Sequence, residues 1–187
     1  YAPGQTKQLV CPNKAIREQF FGYYFKKLNH LRNVTFIGGE IKEEAMALNK
    51  GNMEPFVRAA SERLTRNVGL HALTHLSETA LQFYLLAAAG ATSDFKVTAE
   101  EEARGKGYAD LVFRPMEASG VDFMYLLELK YLPKSKEPRA TDLEKLMTEA
   151  EEQLNRYAAA PDFLTEKTVK KVAVIFVGTE IAAFKQF

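Results

Sequence analysis

The sequence predicts an α/β domain in which a mixed β-sheet, flanked by helices, follows a helical lobe. Apolar residues recur at three- and four-residue spacing through much of residues 13–89, which is the period of amphipathic helices. Three β-like runs joined by short turns follow between residues 95 and 132, and then a helix and a β-branched run. The predicted order is αβββαβ, and the helical crossover allows the last strand to lie parallel to an earlier one.

Two parts of the chain differ in their patterns. Residues 1–69 predict a linker and a helical lobe, and residues 70–187 predict the α/β domain. In chain order, helices are expected from about Asn13, at about 41–49, at about 54–67 and at about 70–89, where Gly90 ends the last one.

Each element of the α/β domain has its own pattern. The run at 170–178 is almost unbroken in β-branched residues, which predicts a strand buried on both faces. The other predicted elements are strands at 95–102, 108–114 and 121–132, a helix at 141–159, and a last strand at 181–187.

The composition is that of an ordinary globular protein and limits the classes of function. The 187 residues suffice for one full core, and the net charge of +1 means that any phosphate-binding surface must be a local patch. The single cysteine, Cys11, excludes an internal disulfide framework and a cysteine-based zinc site. The apolar runs are too short to cross a membrane. The chain begins without methionine or a signal peptide, so we expect a cytoplasmic domain of a longer polypeptide.

Charged residues interrupt two of the predicted strands. Asp110 lies within the run YADLVF, and Glu128 and Lys130 lie near the end of FMYLLELKYL. A charge on a buried strand is costly unless it is paired or bound to a metal. This stretch is therefore the candidate functional region.

Strand geometry predicts how these charges meet. Alternation places Glu128 and Lys130 on one face, and a hairpin neighbour brings Asp110 beside Glu128. Two adjacent carboxylates repel unless a cation lies between them, and Mg²⁺ or Mn²⁺ prefers such oxygens together with a carbonyl, for which Leu129 is placed. Lys130 would then orient or help to deprotonate a water that attacks a phosphate.

Other interpretations of these patterns remain open. A Glu-x-Lys pattern alone is weak, because Glu40-Ile41-Lys42 repeats it in a predicted helix, and a literal Pro-Asp occurs at Pro161-Asp162. Asp110, Glu128 and Lys130 would also be compatible with a surface ion pair at strand ends.

A polar stripe on the predicted helix 70–89 offers a rival site. His71, His75, Glu78 and Gln82 follow helical spacing, which is typical of an exposed helix face. The spacing HxxxHxxE would also suit a Zn²⁺ site, but it lacks the glutamate beside the first histidine that the HExxH helix of proteases needs.

The motifs Gly107-x-Ala109-Asp110 and Glu128-Leu129-Lys130 resemble those of the PD-(D/E)XK nuclease superfamily. The chain more closely resembles bacterial proteins in which such a domain follows an AAA-ATPase-like domain. The resemblance implies a restriction-endonuclease-like core, a divalent metal, hydrolysis of nucleic acid (DNA is the expected substrate) and an ATPase-like domain in the same chain. Ala109 stands where the motif has proline, which removes neither a ligand nor the lysine.

The resemblance extends to supporting residues on two helices. Glu78 matches an acidic residue that members often carry before the first strand, and Gln153 and Tyr157 match a pair that follows the Glu-x-Lys strand. Gln153 interrupts an apolar stripe, so it would need a polar partner such as the site carboxylates, or else it lies at the edge of the core.

Basic residues flank the candidate site in sequence. Arg104 and Lys106 lie in the first predicted turn, and Lys134 and Lys136 follow the third strand, so they would form a phosphate-binding rim unless they are merely solvated. A second functional hypothesis keeps the same fold without catalysis, as a module that binds nucleic acid or protein for the attached ATPase domain. The sequence leaves the oligomeric state open.

Overall fold

A computed structural model describes residues 42–67, 76–89, 92, 94–164 and 168–187. Helices α1 to α4 and strands β1 to β5 are numbered in chain order, and a 3-10 turn at Glu117–Ser119 precedes β3. The helices are α1 (Lys42–Asn49), α2 (Glu54–Asn67), α3 (Glu78–Ala89) and α4 (Ala140–Ala158). The strands are β1 (Phe95–Glu102), β2 (Tyr108–Pro115), β3 (Phe123–Leu132), β4 (Thr168–Val177) and β5 (Glu180–Gln186).

The five strands form one mixed sheet in the order β1-β2-β3-β4-β5. Neighbours are antiparallel except for β3 and β4, which pair in parallel along the whole of β3, from Phe123 opposite Thr168 to Leu132 opposite Val177. This parallel pair is the one that α4 connects, as expected for a strand–helix–strand crossover. β4 is enclosed at its centre, because β3 and β5 flank it and Val172 to Phe176 are all buried.

Helices cover both faces of the sheet, and strand alternation divides the core accordingly. On one face, α1, α2 and α3 bury apolar side chains against residues such as Leu127 and Leu129 of β3. On the other face, Ala150, Leu154 and Tyr157 of α4 pack against Met124 and Leu126 of the same strand. Because side chains alternate along a strand, Glu128 and Lys130 extend the row that faces α4.

The structure confirms the predicted α/β class and the mixed sheet flanked by helices. The predicted strands match within about two residues, the usual latitude of element ends. The helix expected from Asn13, the expected helical residues 70–75, and Cys11 lie outside the described residues. The division at residue 70 stays a prediction, although α1 and α2 share one buried cluster with the sheet. None of the helices that the structure describes is long and apolar enough to cross a membrane.

Candidate active site

The candidate site lies where β2 and β3 cease to pair. Their register runs from Phe113 opposite Tyr125 to Leu111 opposite Leu127 and covers three positions. The next position along brings Asp110 opposite Glu128, as the hairpin geometry predicted. Beyond the paired positions, side chains replace the backbone of β2 as hydrogen-bond partners along that edge of β3.

Two carboxylates accept hydrogen bonds from the backbone of β3 beyond the paired region. The N–H of Leu129 donates to Oδ2 of Asp110 at 2.7 Å, and the N–H of Tyr131 donates to Oε2 of Glu78 at 3.2 Å. Backbone groups two residues apart point to the same edge of a strand, so both carboxylates approach β3 from the β2 side. The C=O of Leu129 faces that edge as well, because the N–H and C=O of one extended residue point the same way.

Glu128 and Lys130 form the predicted pair on the α4 side of β3. Nζ of Lys130 donates to Oε1 of Glu128 at 2.8 Å. The pair is well shielded from solvent, with 4% of the Glu128 side chain and 18% of the Lys130 side chain exposed, so the surface ion pair considered from the sequence is wrong. The second oxygen of Glu128, Oε2, is buried and has no hydrogen-bond partner in the described part of the chain.

Burial is the main cause that raises the pKa values of both site carboxyl groups. Burial raises the pKa of Asp110 to about 6, against the hydrogen bond from Leu129, which lowers it. Burial and the charge of Asp110 raise the pKa of Glu128 to about 7, although Lys130 lowers it. Ionisation of both carboxyl groups is therefore unfavourable in the metal-free site, and a bound cation would offset this cost.

Lys130 is held as an ammonium. Burial lowers its pKa, but the hydrogen bond and charge of Glu128, with Glu78 and Asp110, outweigh burial, and the net pKa is raised. A lysine with a raised pKa is a poor base at neutral pH, which favours the orienting role over deprotonation of a water.

Tyr157 and Gln153 lie on α4. Tyr157 is buried, burial raises the pKa of its hydroxyl, and the charges of Glu128 and Asp110 raise it further, which places the phenol within their field. Its ring also packs closely against the β1–β2 turn, since a Cβ on Gly107 would stand 3.0 Å from Cε1 of Tyr157. Oε1 of Gln153 is buried without a hydrogen-bond partner among the residues described, so this oxygen does not have the polar partner expected from the sequence.

The predicted basic rim is mostly engaged in contacts with other described residues. Nε of Arg104 lies 3.0 Å from Oδ1 of Asp162, and Nζ of Lys106 donates to the carbonyl of Ala159 at 2.8 Å. These contacts join the β1–β2 turn to the segment that directly follows α4. Lys134 lies 3.4 Å from Glu180 in an exposed pair. Lys136 is exposed in the loop before α4. Their role toward nucleic acid stays a prediction.

The donor chemistry fits a hard divalent cation. The carboxylate of Asp110, the carboxylate of Glu128 with its unpartnered Oε2, and the carbonyl of Leu129 are oxygen ligands of the kind that Mg²⁺ and Mn²⁺ prefer. Across the ranges that the structure describes, no three His, Cys, Asp or Glu side chains converge as a ready-made metal cluster. A site of two carboxylates completed by a carbonyl and waters is compatible with that finding. His71 and His75 of the rival Zn²⁺ pattern lie outside the described residues.

Sequence reasoning missed Gln82. The interpretation of its stripe as an exposed helix face is wrong at this position, because Gln82 is 5% exposed, and its Nε2 donates to the backbone carbonyl of Asp110 at 2.8 Å. The sequence did contain a signal for this residue, because Gln82 follows Glu78 by four residues and therefore lies on the same helix face as Glu78.

A comparison with family models agrees with this arrangement. The model of the PD-(D/E)XK nuclease superfamily matches residues 76–185, which contain α3, the entire sheet except its last residue, and α4. The chain belongs to the PD-(D/E)XK nuclease superfamily. Membership indicates a nuclease and hence a nucleic-acid substrate, and members generally use divalent metals. No curated protein and no solved structure matches the chain.

Proposed function

We propose that this chain contains a Mg²⁺- or Mn²⁺-dependent nuclease domain that hydrolyses phosphodiester bonds of DNA. The observation that carries the proposal is the group of Asp110, Lys130 and the buried Glu128, in which Oε2 of Glu128 has no partner among the described residues. Membership of the nuclease superfamily supports the reaction class. The attached AAA-ATPase-like domain remains part of the proposal through the resemblance in sequence.

The proposed roles follow from the position of each side chain. Asp110 and Glu128, with the carbonyl of Leu129, would hold the cation, whose contribution would be Lewis-acid chemistry at the scissile phosphate. Asp110 is fixed for this role by the N–H of Leu129. Glu128 offers the buried oxygen that Lys130 does not use.

Lys130 would contribute a fixed positive charge. Because its pKa is raised, its ammonium stays protonated, and it would orient the attacking water and stabilise the charge that develops on the phosphate. Glu78 would support β3 by accepting the N–H of Tyr131. Gln153 and Tyr157 would supply polar atoms from α4, on the side of the sheet where Glu128 and Lys130 lie.

Cleavage assays test the proposal. Wild-type protein should nick or linearise supercoiled plasmid, or degrade single-stranded DNA, with Mg²⁺ or Mn²⁺ and not with EDTA. Lys130→Ala should abolish cleavage, whereas the control Lys145→Ala, an exposed lysine on α4 with 79% of its side chain accessible, should not.

The outcomes separate the candidate functions. Cleavage of RNA alone would contradict the DNA substrate. DNA binding without cleavage by the wild type under all these conditions would contradict the nuclease and support the non-catalytic binding module. Equal cleavage by wild type and Lys130→Ala would remove the proposed role of Lys130.

A further inference from the structure

Gln82 is a buried polar residue for which the proposed hydrolysis has no use. It lies on α3, a largely apolar helix, and its side-chain amide donates to the main-chain oxygen of Asp110 at 2.8 Å. A buried amide requires a partner, and here the partner is the backbone of a proposed metal ligand. Gln82 therefore reaches the site through Asp110.

The backbone of Asp110 needs such support because β1 is irregular beside it. Ala99 pairs with Leu111 and Glu101 pairs with Ala109, but the intervening position is missing from the pairing. At that position Glu100 has a φ of 50°, a left-handed conformation that is strained for a residue with a side chain. Asp110 thus lies at an interruption of the β1–β2 ladder, where Gln82 supplies a hydrogen bond.

Helix α3 is therefore hydrogen-bonded to both β2 and β3 beside the candidate site. Glu78 accepts the N–H of Tyr131 on β3, and Gln82, one turn later, donates to the carbonyl of Asp110 on β2. Residues four apart lie on the same face of a helix, so the two bonds fix β2 and β3 relative to each other. The bond from the N–H of Leu129 to the carboxylate of Asp110 lies between these two attachments.

We propose that Gln82 is a positioning residue for Asp110. By fixing the main chain of Asp110, it holds the carboxylate against the N–H of Leu129, in the orientation from which it would bind the cation. The consequence for metal binding rests on the proposed function, whereas the hydrogen bond to Leu129 exists without metal. Loss of a residue that orients a metal ligand typically weakens metal binding by about 10- to 100-fold.

Amide hydrogen exchange tests the geometric part in metal-free protein. Gln82→Met keeps the volume and removes the donor, so the exchange of the Leu129 N–H should become about tenfold faster, since local opening sets this rate. The N–H of Val174, at the centre of β4, should be unchanged and serves as the internal reference.

Gln186 offers a matched control. Its side-chain amide donates to the carbonyl of Gly51 at 2.6 Å and accepts from the N–H of Met53 at 3.0 Å, on the edge strand β5. Gln186→Met therefore removes both hydrogen bonds of a glutamine side chain at a place away from Asp110, and Leu129 should keep its protection. Should Gln82→Met fail to fold, Gln82→Asn retains the amide and withdraws it by one methylene, with the same expected result at Leu129.

Calorimetry with Mn²⁺ tests the consequence for the cation. Gln82→Met should bind Mn²⁺ about tenfold more weakly than wild type, and Gln186→Met should bind as wild type does. Equal Leu129 exchange in the two variants, or uniform acceleration of all amides including Val174, would overturn the proposal. The exchange measurement needs neither metal nor substrate, so the Leu129 rate decides the role of Gln82 independently of catalysis. A wild-type protein that fails to cleave DNA would contradict only the proposed function.

Discussion

Nζ of Lys130 lies 2.8 Å from one carboxylate oxygen of Glu128, while the other oxygen, Oε2, is buried without a hydrogen-bond partner in the described ranges. The lysine thus neutralises part of a carboxylate pair that includes Asp110, and both carboxyl groups retain raised pKa values. This imbalance of charge has measurable consequences for stability, metal binding and catalysis.

The metal-free protein should lose stability as the pH rises from about 5 to 8. The folded-state pKa values of Asp110 and Glu128, about 6 and about 7, lie above their ordinary values of 3.8 and 4.5. The folded state therefore binds more protons in this window, and its stabilisation, full below the unfolded pKa values, disappears as the pH passes the folded ones. Urea unfolding in EDTA measures the trend, which should be shallower in Glu128→Gln; equal slopes would contradict the assignment.

Divalent metal should reverse this trend. Protons and the cation compete for the same carboxylates, so Mn²⁺ should raise the melting temperature more at pH 8 than at pH 5. Thermal melts with matched ionic strength measure the difference. A gain that is equal at both pH values would indicate that Mn²⁺ binds elsewhere.

Lys130→Met should raise the pKa of Glu128 further, because the lysine is the group that lowers it. Carbon-detected NMR titration of the Glu128 carboxyl measures the shift in metal-free protein. The same variant should lose about 100-fold or more in cleavage rate, the effect usual for a group that stabilises developing charge. Lys145→Met is the control, and a Glu128 midpoint that does not move would contradict the pairing.

Gly107→Ala should destabilise the fold more than Gly105→Ala. Both glycines have positive φ, but a Cβ at Gly107 would stand 3.0 Å from the Tyr157 ring, whereas a Cβ at Gly105 meets no atom within 4 Å. The strain of positive φ costs about 1 kcal/mol in each variant, and the clash adds about 1–3 kcal/mol at Gly107. Urea denaturation gives the two losses, and equal values would contradict the close contact with Tyr157.

Lys134→Ala combined with Lys136→Ala should weaken DNA binding at constant fold. If both lysines contact phosphates, the slope of log affinity against log salt concentration should fall by about 2. Fluorescence anisotropy across a salt series measures this slope. The double variant Lys96→Ala with Lys145→Ala, at two exposed positions of β1 and α4, is the control. Identical slopes for the two double variants would contradict the predicted rim.

Most of the fold followed from local pattern. Period-2 and β-branched runs predicted the strands, and the helix between 132 and 170 predicted the parallel pair β3–β4. That Asp110 and Glu128 lie close together was equally predictable, because the short turn between β2 and β3 leaves little choice in how these strands pair. The orientation of Glu128 and Lys130 toward α4 follows from strand alternation alone.

Long-range details of the site were not predictable from one sequence. The bond from Gln82 to Asp110 depends on where α3 crosses the strands and on the left-handed conformation of Glu100, which no local pattern specifies. The contact of Arg104 with Asp162 likewise depends on how the β1–β2 turn meets the end of α4. The raised pKa of Lys130 was not predictable either, because it depends on how many carboxylates surround the amine and at what distances.

Calorimetric titration with Mn²⁺ is the decisive test of a metal site at Asp110 and Glu128. We expect that wild-type protein binds Mn²⁺, that Asp110→Asn and Glu128→Gln each abolish this binding, and that Asp122→Asn, at an exposed aspartate before β3, leaves it intact. Absence of Mn²⁺ binding by the wild type, or equal binding by all four proteins, would contradict a metal site at Asp110 and Glu128.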